Sequence, residues 1–130
     1  MKTFVIAAAF ALGVSSSALA HHSGAMFDSA KTSVVNGTVK EFTLTNPHSW
    51  IKLNVAGPGE QVQEFAIELG PITAMVRRGL TRTILKPGDK VQVSVHPLKT
   101  GAPGGSFVSL KLADGRELSG SGPTGPGAPE

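Results

Sequence analysis

The sequence predicts an all-β domain with one short helix, a small OB-like five-stranded and partly open barrel. Two observations carry this. Apolar residues alternate with polar ones in five segments, and a helical period occurs in one segment only. That segment falls between the third and fourth strands, and three strands, a helix and two strands is the element order of the OB-fold. A small β-sandwich would also accommodate five strands. It gives no reason for one helix at that point.

The first strand is read from Val35, Gly37 and Val39, alternating with Asn36, Thr38 and Lys40. Its apolar parity then moves to Phe42 and Leu44, which predicts a bulge near Lys40-Glu41. Asn46-Pro47 breaks it. Ile51, Leu53 and Val55 define the second strand, and Gly57-Pro58-Gly59 a turn. Phe65, Ile67 and Leu69 define the third. The helix is predicted over Pro71–Arg78, where Ile72, Met75 and Val76 share a face, Pro71 suits the first turn and Gly79 can end it. Lys86-Pro87-Gly88-Asp89 is a turn. Val91, Val93 and Val95 make the fourth strand. A glycine-rich loop from Gly101 to Gly105 leads to Val108, Leu110 and Leu112 in the fifth, and Asp114-Gly115 can begin a last hairpin turn.

This barrel occupies 33–118. Residues 1–20 read as a signal peptide: Lys2, an apolar run from Phe4 to Val14, then Ala18-Leu19-Ala20 as an A-x-A cleavage site. The run is shorter than the roughly 20 apolar residues that span a bilayer. Cleavage after Ala20 gives an exported, periplasmic or secreted protein without a membrane anchor. The N-terminal arm, 21–32, is expected to be extended, with Met26 and Phe27 available to pin it. The tail, 119–130, is Gly/Pro-rich, offers little to bury and is expected to be disordered.

Composition excludes several functions. The chain has no cysteine, hence no disulfide, thiolate metal site or lipidated cysteine. It has 12 basic and 9 acidic side chains, and losing Lys2 with the signal lowers the net charge from +3 to +2. That balance is too mild to imply a nucleic acid partner.

Eight stretches, in order, resemble a family of small exported bacterial proteins classed as a domain of unknown function. They include Ala20-His21-His22-Ser23, Gly37-Thr38-Val39-Lys40-Glu41-Phe42, Asn46-Pro47-His48-Ser49-Trp50, Leu85-Lys86-Pro87-Gly88-Asp89 and Pro103-Gly104-Gly105-Ser106. The resemblance spans nearly the whole mature chain and implies an exported single-domain β-protein. It carries no activity or catalytic residue. His96 stands where it implies a different residue.

The mature terminus would be His21-His22-Ser23. A free amine beside two imidazoles is a chelator for copper(II), and His48, on a turn at the barrel rim, is the best second ligand across the fold. An N-terminal histidine plus a distant imidazole would make a three-nitrogen histidine brace. Cleavage before Ala20 would instead give Ala-His-His, which closes a square plane through backbone amides. His96, before Pro97 at a strand end, is a weaker candidate. Only Met26 and Met75 remain after cleavage, too few for a methionine-rich copper(I) chaperone.

The alternative is an interaction module without metal. It would hold a protein or glycan on Trp50, the sole tryptophan, or on the basic pair Arg77 and Arg78. Binding is expected rather than catalysis. His48 and Ser49 are strand neighbours that face opposite ways, so they make no nucleophile–base pair. Glu64 and Glu68 share a face about 13 Å apart, at roughly 3.3 Å per residue, too far for a paired-carboxylate site.

Overall fold

A computed structural model describes residues 23–120. The expected cleavage site, His21, His22 and residues 121–130 lie outside the described residues. The strands are β1 (Ser33–Thr43), β2 (Trp50–Ala56), β3 (Val62–Glu68), β4 (Lys90–Pro97), β5 (Gly104–Lys111) and β6 (Glu117–Ser119). The helix α1 (Ile72–Arg77) lies between β3 and β4. The sheet order is β3-β2-β1-β4-β5-β6, and β3 pairs again with β5, in parallel. Five strands thus close on themselves and β6 is added outside. The OB-like architecture expected from the sequence is the one observed, with the barrel closed at a β3–β5 seam.

Alternation decides which face is inside. Ile51, Leu53, Ile67, Val93, Val95 and Leu110 are fully buried. Each such side chain contributes about 1.5–3 kcal/mol by leaving water. The β1 bulge falls where the parity change predicted it: register shifts between Val39 and Glu41, so Lys40 is the extra residue. The bulge lets β1 bend, so that one strand pairs with β4 over Ser33–Thr38 and with β2 over Thr38–Thr43.

β5 differs from the expectation. Gly104 and Gly105 belong to the strand and not to the preceding loop. A second bulge places Ser94 opposite Ser109 but Val95 opposite Phe107. Val108 is therefore the extra residue, and Phe107 packs against the core in the place the alternation assigned to Val108. Local parity cannot register an insertion whose partner strand is distant in sequence.

The seam explains Gly104, and the approach of β4 on the other side of β5 explains Gly105. The seam pairs Ala66 with Gly104, Ile67 with Gly105 and Glu68 with Ser106. A Cβ on Gly104 would lie 2.9 Å from the Ala66 carbonyl oxygen, and one on Gly105 would lie 2.7 Å from that of His96. Both are closer than side chains tolerate, so the backbones approach this closely only with glycine.

The helix covers one end of the barrel. Met75 and Leu80 are buried. Its C-terminus is a Schellman turn: Leu80 N–H donates to the Met75 carbonyl, Gly79 N–H donates to that of Val76, and Gly79 has φ of 89°. Pro71 supplies no side-chain cap, so Asn46 Oδ1, from the β1–β2 loop, accepts from Ile72 N–H at 3.1 Å.

The arm is held at Phe27, which bridges to Leu98. Asp28 N–H donates to Pro97 and Lys99 N–H to Met26. Residues Ser23–Met26 form a 3₁₀ turn where an extended arm was expected, and Met26 is exposed. At the other end β6 runs through Ser119, a buried residue, one position beyond the expected limit of the barrel.

Replacing Gly104 with alanine should cost about 1–3 kcal/mol of stability through overpacking at the seam, where the added Cβ would meet the Ala66 carbonyl oxygen. Gly57→Ala, whose added Cβ would meet its nearest neighbour at 3.4 Å, should stay within about 0.5 kcal/mol. Urea denaturation of the two variants checks this. Equal midpoints would contradict the steric account of the seam.

Candidate functional site

The Asn46–Ser49 turn is held from several sides. Asn46-Pro47 is a cis peptide. Ser49 is fully buried, and its Oγ accepts from Thr45 N–H and donates to the Thr45 carbonyl, both at 3.2 Å. Ser49 N–H donates to the Gly70 carbonyl, and the Ser49 carbonyl accepts from Leu69 N–H. These bonds fasten the turn to the end of β3 and fix where His48 stands.

Glu68 is the last residue of β3, opposite Trp50 in the β2–β3 register. Its Oε1 lies 2.6 Å from His48 Nδ1. A carboxylate can only accept, so the neutral ring carries its proton on Nδ1 and keeps Nε2 free. This carboxylate–imidazole pairing is the arrangement that orients a metal-binding histidine. His96 is anchored in the same manner: its Nδ1 lies 2.7 Å from the Lys31 carbonyl oxygen, which also only accepts.

One cavity of about 430 Å³ joins these groups. His48, Glu68, Arg78, His96 and Ser106 give it polar walls, and Phe27, Leu69, Met75 and Phe107 give it apolar ones. Gly24, from the arm, lines it too. The cavity therefore gathers the β1–β2 turn, the ends of β3 and β4, the start of β5, the end of the helix and the arm. Across the seam, Glu68 and His96 are both Cα partners of Ser106. Two strand spacings of about 4.8 Å put their Cα atoms roughly 10 Å apart. Among the described residues, no three His, Asp or Glu side chains converge closely enough to hold a metal.

The other expected surface residues separate. Arg78 is half-buried and lines the cavity, whereas Arg77 is exposed and does not. Neither has an ion-pair partner among the described residues. Trp50 is 37% exposed on the outer wall, beside Glu68 and outside the cavity lining. Glu64 pairs with Lys40 while Glu68 pairs with His48, so the two carboxylates serve separate partners.

Residues 9–107 match the family of unknown function DUF6152. The chain belongs to this family. The matched stretch contains the arm, the His48 turn, the helix and the seam glycines. No curated protein and no solved structure matches the chain.

Three parts of the site escaped the sequence reading. Glu68 was recoverable: a turn centred on Pro58 and Gly59 brings it opposite Trp50, one residue from the His48 turn. Ser106 and the place of His96 depend on the β3–β5 and β4–β5 pairings, for which local alternation carries no signal.

Two predictions follow from this geometry. In ¹⁵N NMR spectra of the neutral rings, His48 and His96 should both carry their proton on Nδ1; an Nε2-protonated tautomer for either ring would contradict its anchoring. The second concerns pH. A hydrogen bond from the Lys31 ammonium holds the Asp28 carboxyl below its ordinary pKa, and Asp28 in turn raises that of Lys31. A depressed carboxylate contributes stability above its unfolded pKa and loses it as pH falls through the folded value. A raised lysine contributes below its unfolded pKa and loses it only as pH climbs through the folded one. Arm docking should therefore be flat across neutral pH and weaken below about 3.9, the ordinary aspartate pKa. Protection of the Lys99 amide, bonded to Met26, reports it. Loss of that protection between pH 5 and 8 would refute the pairing.

Proposed function

We propose that this protein is an exported single-domain binding module that takes one copper(II) ion at the barrel rim, through its mature amino terminus, His21, His22 and His48. One observation carries the reading: Gly24 and His48 line the same cavity, so the segment directly after the two histidines reaches the cavity that the candidate ligand across the fold also lines. Glu68 adds support, since it occupies His48 Nδ1 and leaves Nε2 as the donor. The His21 amine would supply a second nitrogen and an imidazole a third. Nitrogen donors in that number suit copper(II). The amine must lose its proton to bind, and its free pKa is about 7.7–8.0, so affinity should rise as pH approaches that range. The signal sequence motivates the periplasmic or secreted location, where cleavage exposes the amine.

The second reading is a metal-free module holding a protein or glycan partner. It is favoured by the exposure of Trp50 on the wall beside Glu68, where an indole can stack, and by the exposed Arg77.

The test compares three proteins purified after export: native chain, chain with Gly-Ser preceding His21, and His48→Ala. Intact mass should first give His21 as the start. Copper(II) titration with EPR detection should then give one tight nitrogen-ligated site in the native chain. The extension should remove it, and His48→Ala should weaken it at least tenfold with a changed spectrum. Equal affinity in the extended chain would overturn the role of the amine. An unchanged spectrum in His48→Ala would reduce the site to a local terminal chelate and favour the second reading.

A further inference from the structure

We infer that the rim cavity also binds a small organic carboxylate bearing a hydroxyl or amine and an apolar substituent. This goes beyond the metal reading and does not depend on it, because its anchors, Arg78 and His96, are not among the proposed copper ligands.

Size is the first argument. A cavity of about 430 Å³ is far larger than a metal ion needs and falls in the range of small-molecule pockets, roughly 300–1,000 Å³. Its lining has the composition of such pockets, apolar walls with a few convergent polar groups. Phe27, Met75 and Phe107 can cover a short hydrocarbon or aryl substituent.

Charge is the second. The two charged side chains of the lining are in different conditions. Glu68 is already paired with His48. Arg78 is half-buried at the end of the helix, with no carboxylate within ion-pair distance among the described residues. A guanidinium withdrawn partly from water and left without an anion is a site for one, and its planar fork matches a carboxylate with two parallel hydrogen bonds.

The third argument is hydrogen-bond polarity. With its Nδ1 donating to the Lys31 carbonyl, the neutral ring of His96 keeps Nε2 as an acceptor. This nitrogen calls for a donor on the ligand, and a hydroxyl or amine next to the carboxylate provides it. The roughly 10 Å between the Cα atoms of Glu68 and His96 leaves room for a molecule of a few heavy atoms. An α-hydroxy acid with an alkyl chain meets all three demands.

The experiment uses the native mature chain in excess EDTA, so that the copper reading cannot influence it, with three probes: 2-hydroxyhexanoate, hexanoate and 1-hexanol. Amide and side-chain NMR shifts are followed during titration. The expected result is saturable perturbation at Phe27, Phe107 and His96, tightest for 2-hydroxyhexanoate, weaker for hexanoate and at least tenfold weaker for 1-hexanol. Arg78→Gln should weaken 2-hydroxyhexanoate at least tenfold, and Arg78→Lys should fail to restore it. Arg77→Gln, on the exposed neighbour, should leave it unchanged. His96→Gln should remove the advantage of the hydroxy acid over hexanoate. Circular dichroism of each variant separates loss of binding from loss of fold. Should Arg78→Gln fail to fold, the ranking of acid over alcohol in the native chain decides the matter alone. No saturation at the cavity, equal binding of the alcohol, or undiminished binding by folded Arg78→Gln would overturn the proposal.

Discussion

The rim depends on the parallel seam between β3 and β5, where two backbones come together at Ala66–Glu68 and Gly104–Ser106. Every other strand pairing in the barrel is antiparallel and could exist in an open sheet. The seam turns that sheet into a closed wall, and it does so at the end where Glu68, Ser106 and His96 fall into one transverse row. Hydrogen bonds alone do not permit so close an approach. It requires glycine at 104, where a Cβ would lie 2.9 Å from the Ala66 carbonyl oxygen, and the pairing of β5 with β4 beside it requires glycine at 105, where a Cβ would lie 2.7 Å from the His96 carbonyl oxygen. Gly104 and Gly105 therefore decide whether the residues of the candidate site meet at all.

Around the seam the chain spends its polar groups on fixing position. Ser49 is buried to tie a turn to β3, Asn46 caps a helix that has no cap of its own, and Lys31 offers a carbonyl to His96. The product is a pair of imidazoles, each tethered by one nitrogen and free at the other. A tethered ring loses little freedom on meeting a ligand, which is the general advantage of preorganisation. The same logic gives the arm its place. Phe27 and Asp28 join it to the end of β4, so the segment that follows His22 is carried to the cavity by the fold.

What could be read from the sequence followed the range of the interactions. The alternations of β2, β3 and β4, the Lys40 bulge and the helix ended by Gly79 are local patterns, and each was legible. Val108 was not, because its bulge is defined against β4. The seam was not, because Gly104-Gly105 in a glycine-rich stretch reads as a loop until a distant strand is known to lie against it. His48 was legible as a rim residue, since turn chemistry marks it. Its partner Glu68 needed the hairpin register as well. His96 looked unpromising beside Pro97 and gains interest only from the pairing that brings β4 to Ser106.

The central claim is that the closed rim brings the arm and the His48 turn to one cavity. A single spin label tests it directly, because the native chain contains no cysteine to compete. With the label on Ala25→Cys, an exposed position beside Gly24, paramagnetic broadening should be strong at His48, His96 and Phe107. It should be weak at Asn54, about 13 Å further along β2 from Trp50 at roughly 3.3 Å per residue. Broadening at His48 no greater than at Asn54 would mean that the arm does not reach the rim, and the copper reading of the cavity would lose its foundation.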